Sequence, residues 1–73
     1  MKFRFSNHAQ FRIFLERGIS ADDIKSVIKE PDTLTHFEGG VAKARKQLDK
    51  GLLCVVYSES RSATHVIITA YFV

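Results

Sequence analysis

A single proline, Pro31, divides this chain into two parts that follow different hydrophobic periods. Between residues 7 and 30 the apolar residues recur every three or four positions. After Pro31 they alternate with polar residues or run together in β-branched stretches. Proline has no amide hydrogen to donate and pushes the residue before it toward an extended backbone, so the helical part must end at Glu30. Helical segments followed by a run of strands are the pattern of an α+β fold.

Local signals divide each part further. Lys2-Phe3-Arg4-Phe5 alternates as a half-buried strand does, and Ser6 and Asn7 stop it. Asn7 and Gln10 have the spacing of a capping box, which predicts a helix starting there. Its apolar stripe is read as Phe11, Phe14 and Leu15, with His8 and Arg12 flanking it one turn apart. Gly18 is the expected helix stop, because glycine adopts the positive φ that a helix end often needs. Ser20 and Asp23 form a second capping box. Asp22 and Asp23 put negative charge where the helix dipole favours it, and Ile24, Val27 and Ile28 form the apolar stripe. The short link through Gly18 and Ile19 predicts a helical hairpin.

Four strands are expected beyond Pro31. Residues 33–38 precede the turn signal Gly39-Gly40. Residues 41–48 interleave small or apolar side chains with Lys43, Arg45 and Lys46. After the turn Asp49-Lys50-Gly51, residues 52–57 are apolar and β-branched enough for a central strand. A polar turn over 58–63 leads to a last strand over 64–73, whose apolar content also argues for an interior place. The expected order is β-α-α-β-β-β-β, a two-helix hairpin packed on one antiparallel sheet, with residues 1–73 as a single domain.

Composition sets limits on function. With 45% hydrophobic residues, the chain has enough apolar material for a packed core. Its one cysteine, Cys54, excludes an internal disulfide or a CxxC pair, and its apolar surroundings predict a buried, inert thiol. A small domain without disulfides fits the reducing cytoplasm. No stretch reaches the roughly 18 apolar residues needed to span a membrane, and the amino terminus lacks the apolar core of a signal peptide. Eleven Lys and Arg against eight Asp and Glu leave a net charge of +3, which permits an anionic partner.

The residues able to do chemistry fall in three places. Alternation along the last strand puts Val66, Ile68, Ala70 and Phe72 on one side, expected to face the helices. It puts His65, Ile67, Thr69 and Tyr71 on the other, as a candidate site floor. Lys43 and Arg45 point the same way on their strand and Lys46 the opposite way. Cations beside Thr69 and Tyr71 would hold a phosphate, for which the planar fork of arginine is well shaped. The plainer reading of both features is one solvated face of a sheet. His8, at the start of the first helix, is a candidate proton-transfer group or a ring packed on an aromatic neighbour. The three histidines have no metal-ligand spacing, so no metal or other cofactor is expected.

Several runs now stand together: Phe5-Ser6-Asn7-His8-Ala9, Glu16-Arg17-Gly18-Ile19-Ser20, Asp23-Ile24, Ile28-x-x-Pro31, Leu53-x-Val55-Val56-Tyr57 and Ile67-Ile68-Thr69-Ala70-Tyr71. Over almost the whole chain they resemble a family of small prokaryotic domains grouped with the RelE/BrnT-type toxins. The resemblance implies a RelE-like architecture, with a helical pair on a curved antiparallel sheet. It also implies endoribonuclease activity, often on ribosome-associated messenger RNA, and neutralisation by an antitoxin protein encoded nearby. The positions matching the recurrent polar sites are His8, Arg17, Tyr57, Thr69 and Tyr71, with the basic residues of the second meander strand.

On that reading the protein is a metal-independent endoribonuclease toxin. RNA supplies its own nucleophile, so the enzyme need only align the 2′-hydroxyl with the adjacent phosphate, move two protons and stabilise phosphoryl charge. His8 would act as general base or acid, and Arg17 and Arg45 would stabilise the phosphate with help from Lys43. Thr69 and Tyr71 would bond the phosphate or stack the nucleotide, while Lys46 and Tyr57 would add RNA contacts. The alternatives are a nucleic-acid-binding module without chemistry and a protein-interaction domain in which the charge is incidental.

Overall fold

A computed structural model describes residues 2–5, 7–59 and 64–73. Strand β1 (Lys2–Phe5) is followed by helix α1 (Asn7–Gln10), which continues directly into a π-helical turn (Phe11–Glu16), and then by α2 (Ala21–Lys29). The strands β2 (Thr33–His36), β3 (Val41–Leu48), β4 (Gly51–Glu59) and β5 (Thr64–Phe72) complete an α+β fold of two helices on a five-stranded sheet. Of the polar turn read over 58–63, Ser58 and Glu59 belong to β4 and the rest lies outside the described residues.

The spatial order is β1-β5-β4-β3-β2. Strands β2 to β5 form the expected antiparallel meander, but β1 pairs parallel with β5, from Lys2 opposite Thr64 to Phe5 opposite Ile67. The sheet is therefore mixed, which corrects the all-antiparallel expectation. Alternation reports which face a side chain takes and carries no information about the direction of the partner strand.

The local signals around α2 act as read. Ser20 Oγ accepts from the Asp23 amide at 3.1 Å, and the Ser20 amide donates to Asp23 Oδ2 at 3.2 Å. Gly18 ends the first helix at φ +65°, and α2 ends at Lys29, two residues before Pro31. Lys50 Nζ also donates to Asp23 Oδ2, at 3.2 Å. Burial works against the charged Asp23 carboxylate. The Ser20 amide, the Lys50 ammonium and the Ser20 hydroxyl outweigh that and hold its pKa below the usual value. The resulting stabilisation is complete above about pH 4, the ordinary aspartate range, and is lost as pH falls through the lowered pKa. Replacing Ser20 by alanine should cost about 1 kcal/mol. Urea unfolding at pH 7 and pH 3 checks both points: Asp23→Asn should be destabilising at pH 7 and less so at pH 3, and an equal cost at both would refute the linkage.

The first helix departs from its expected face. Asn7 lies inside α1, and Gln10 Nε2 donates to the Phe5 carbonyl at 3.4 Å instead of closing a box on Asn7. Ala9 and Ile13 are the buried residues, while Phe11 is 53% and Leu15 74% exposed. Phe14 of the expected stripe does pack against the core. The helix ends in a π turn, with the Arg17 amide on the Arg12 carbonyl at 3.1 Å, an i→i+5 bond.

One core fills the space between helices and sheet. Ile13, Ile19, Ile24, Val27 and Ile28 meet Ala42 and Ala44 of β3, Leu53, Val55 and Tyr57 of β4, and Ile67 and Ala70 of β5. The helix α2 lies over β3 and β4, and the first helix over β1 and β5. Among the described residues, no helix lies on the opposite face of the sheet. No helix among the described residues is long and apolar enough to cross a membrane.

A β-bulge in β5 decides which side chains share that open face. Val56 stands opposite Thr69 and Tyr57 opposite Ile67, so Ile68 has no partner across the ladder. The extra residue shifts the alternation by one. Before the bulge, His65 and Ile67 face the helices; after it, Ala70 and Phe72 do. The expected grouping of His65 and Ile67 with Thr69 and Tyr71 is thus corrected: the first two lie on the covered side and the last two on the open side. His65 is 8% exposed, with the rings of Phe3 and Tyr57 at 5.5 and 5.1 Å and its Nε2 3.6 Å from Glu59 Oε1.

Candidate functional site

Register places two rows of side chains across four strands of the open face. One row runs Thr33, Arg45, Cys54, Tyr71; the other runs Thr35, Lys43, Val56, Thr69. The rows are two residues apart along each strand, roughly 7 Å. Lys43 and Tyr71 meet diagonally, with Lys43 Nζ 5.6 Å from the centroid of the Tyr71 ring. This separation lies in the range of cation–π attraction and holds ammonium and ring on the same side. Arg45 is exposed beside them, and Cys54 is a fully buried free thiol within its row.

The electrostatics of this face are one-sided. Among the described residues, no Asp or Glu occupies a strand position on it. The only acidic strand residue, Glu59, pairs with His65 in the phase that faces the helices. Arg4 of β1 is exposed and stands opposite Val66, on the same side as Thr69 and Tyr71. It was given no role from sequence, although the alternation of Lys2 to Phe5 already put it opposite the two phenylalanines. Unpaired cations with no carboxylate between them attract an anion, and flanking hydroxyls can donate to its oxygens.

Arg17 joins this group from the edge of the sheet. Its Nη1 donates to the Ala70 carbonyl at 3.0 Å and to Thr69 Oγ1 at 3.2 Å. Thus Lys43, Arg45, Thr69, Tyr71 and Arg17 form one neighbourhood.

The other sequence candidates lie elsewhere. His8 is exposed on α1, on the helix side of the sheet. Tyr57 is 3% exposed within the core, and burial, with a smaller contribution from the Glu59 carboxylate, raises its phenol pKa. Lys46 points to the helix side as expected. There its Nζ donates to the Glu30 carbonyl at 2.9 Å, at the carboxyl end of α2, where the helix dipole favours a cation. Among the described residues, no three His, Cys, Asp or Glu side chains gather as a group able to hold a metal ion.

Fold and face together define a small α+β domain whose uncovered sheet surface carries cations and a half-buried tyrosine and, among the described residues, no strand carboxylate. Residues 5–72 match the family described as DUF4258, a domain of unknown function, and the chain belongs to that family. No curated protein and no solved structure matches it.

Proposed function

We propose that this protein is a metal-independent endoribonuclease of the RelE/BrnT toxin type, acting in the cytoplasm on RNA laid over the open face of a RelE-like sheet. The observation that carries this reading is the placement of Lys43, Arg45, Thr69 and Tyr71 on one surface where, among the described residues, no strand position holds a carboxylate. Arg45 and Lys43 neutralise the non-bridging oxygens of the scissile phosphate. The 2′-oxygen attacks phosphorus, the bond to the 5′-oxygen breaks, and the products are a 2′,3′-cyclic phosphate and a 5′-hydroxyl. The proton of the 2′-hydroxyl goes to a base, and an acid protonates the leaving oxygen. Tyr71, as phenolate, accepts the 2′-hydroxyl proton, and the Lys43 ammonium, 5.6 Å from the Tyr71 ring centroid, protonates the leaving oxygen. His8 lies on the helix side of the sheet and takes neither transfer.

The test is incubation of purified protein with RNA in EDTA, followed by analysis of the product ends. Cyclic phosphate termini are expected. Tyr71→Phe should lower the rate by about 10²-fold or more, the usual share of general acid–base catalysis, while His8→Ala leaves it unchanged. Full activity of Tyr71→Phe would remove Tyr71 from the mechanism. Induced expression should arrest growth, and an antitoxin encoded nearby should relieve the arrest.

The position of His8 favours a second reading, a nucleic-acid-binding domain without cleavage. Salt-dependent RNA affinity with no cyclic phosphate product would establish it.

A further inference from the structure

The segment Glu16 to Ser20 links the two helices, and each residue after Glu16 has a separate structural task. Ile19 is buried in the core, with its amide on the Ile13 carbonyl at 3.0 Å, and Ser20 caps α2. Gly18 makes the reversal at positive φ. Arg17 is left at the end of the π turn with its side chain directed at β5. The reason β5 has room for it lies in the sheet. Strand β1 pairs with β5 only as far as Ile67, so among the described residues the edge beyond that point has no strand neighbour on that side. At Ala70 the guanidinium supplies the donor that a longer β1 would have supplied, and the same nitrogen reaches around the edge to the hydroxyl of Thr69.

We infer that Arg17 is a positioning residue. It fastens the unpaired end of β5 so that Thr69 and Tyr71 stay in register with Lys43 and Arg45, and it does not itself bind phosphate. Its Nη1 donates to two acceptors of β5, and these bonds run from the helix layer to the floor of the face. The bulge at Ile68 makes this anchoring necessary, because a bulged strand next to a free edge is locally loosened. This inference rests on the nucleic-acid reading only for its functional consequence.

The experiment has one arm without ligand and one with it. In hydrogen exchange on the free protein, Arg17→Ala should speed exchange of amides in residues 69–72 about tenfold, with α2 and the β3–β4 ladder unaffected. Unchanged exchange at 69–72 would overturn the inference whether or not RNA binds. In the second arm, a fluorescent single-stranded oligouridine is titrated at several salt concentrations. A phosphate contact contributes about 0.7 to the slope of log affinity against log salt for single strands. Lys43→Ala should therefore lower the slope by that amount. Arg17→Ala should weaken binding severalfold at unchanged slope, Arg17→Lys should recover part of the loss, and Thr69→Val combined with Arg17→Ala should be less than additive. A slope lowered by Arg17→Ala as much as by Lys43→Ala would make Arg17 a phosphate ligand and refute the positioning role. Absence of binding by the unmodified protein would remove the proposed function, and the exchange arm would still decide the role of Arg17.

Discussion

Ile13→Ala should destabilise the domain by about 2–5 kcal/mol, and Leu15→Ala, two residues away, by less than about 0.5 kcal/mol. Ile13 is fully buried against the sheet and Leu15 is largely exposed. Truncating Ile13 removes transfer free energy and leaves a cavity that close-packed neighbours fill only in part. A chain of 73 residues has a total stability of roughly 4–11 kcal/mol, so this one change removes a large share of it. The midpoint of thermal unfolding should fall by ~10 °C or more. A helix with a regular 3.6-residue stripe through Phe11, Phe14 and Leu15 would give the opposite ranking. Thermal and urea unfolding of the two variants therefore tests which face of the first helix is buried, and equal losses would refute the placement of Ile13.

The second large effect concerns the open face. Replacing both Lys43 and Arg45 by alanine should lower the salt slope of single-stranded RNA binding by about 1.4, two contacts at about 0.7 each. It should also abolish measurable affinity near physiological salt. Tyr71→Ala should cost about 1–3 kcal/mol, the loss of a stacking surface, with little change in slope. Lys46→Ala is the control. Lys46 matches Lys43 in charge and is three residues away, but it is bonded to the Glu30 carbonyl on the other side of the sheet, so the slope should stay as it is. A face that is merely solvated would show no difference between Lys43 and Lys46, and fluorescence anisotropy at three or four salt concentrations separates the two cases.

The legibility of this chain follows the range of the interactions. Ser20 with Asp23, Gly18, Pro31 and the pair Gly39-Gly40 act through bonds or torsions within a few residues, and each sits where its chemistry required. The alternation of residues 41–48 likewise reports faces correctly, placing Lys43 and Arg45 opposite Lys46. The same rule misplaced His65 and Ile67 because one extra residue at Ile68 reverses the count, and nothing in the run Val66-Ile67-Ile68-Thr69 distinguishes a bulged residue from a paired one. The π turn escaped notice for a related reason: its bonds replace helical ones with no change in residue type.

Residue types and spacing alone settle that Pro31 separates helices from strands, that α2 carries its own cap, and that β3 keeps two cations on one face. The tertiary structure decides the rest: that β1 pairs parallel to β5 and stops at Ile67, that the bulge puts His65 and Ile67 on the other side from Thr69 and Tyr71, and that Arg17 reaches the Thr69 hydroxyl and the Ala70 carbonyl. The physical reason is that periodicity encodes which side of its own element a side chain occupies. Partner, direction and register are set by backbone hydrogen bonds between separate segments, about 60 residues apart for β1 and β5, which carry no side-chain signature.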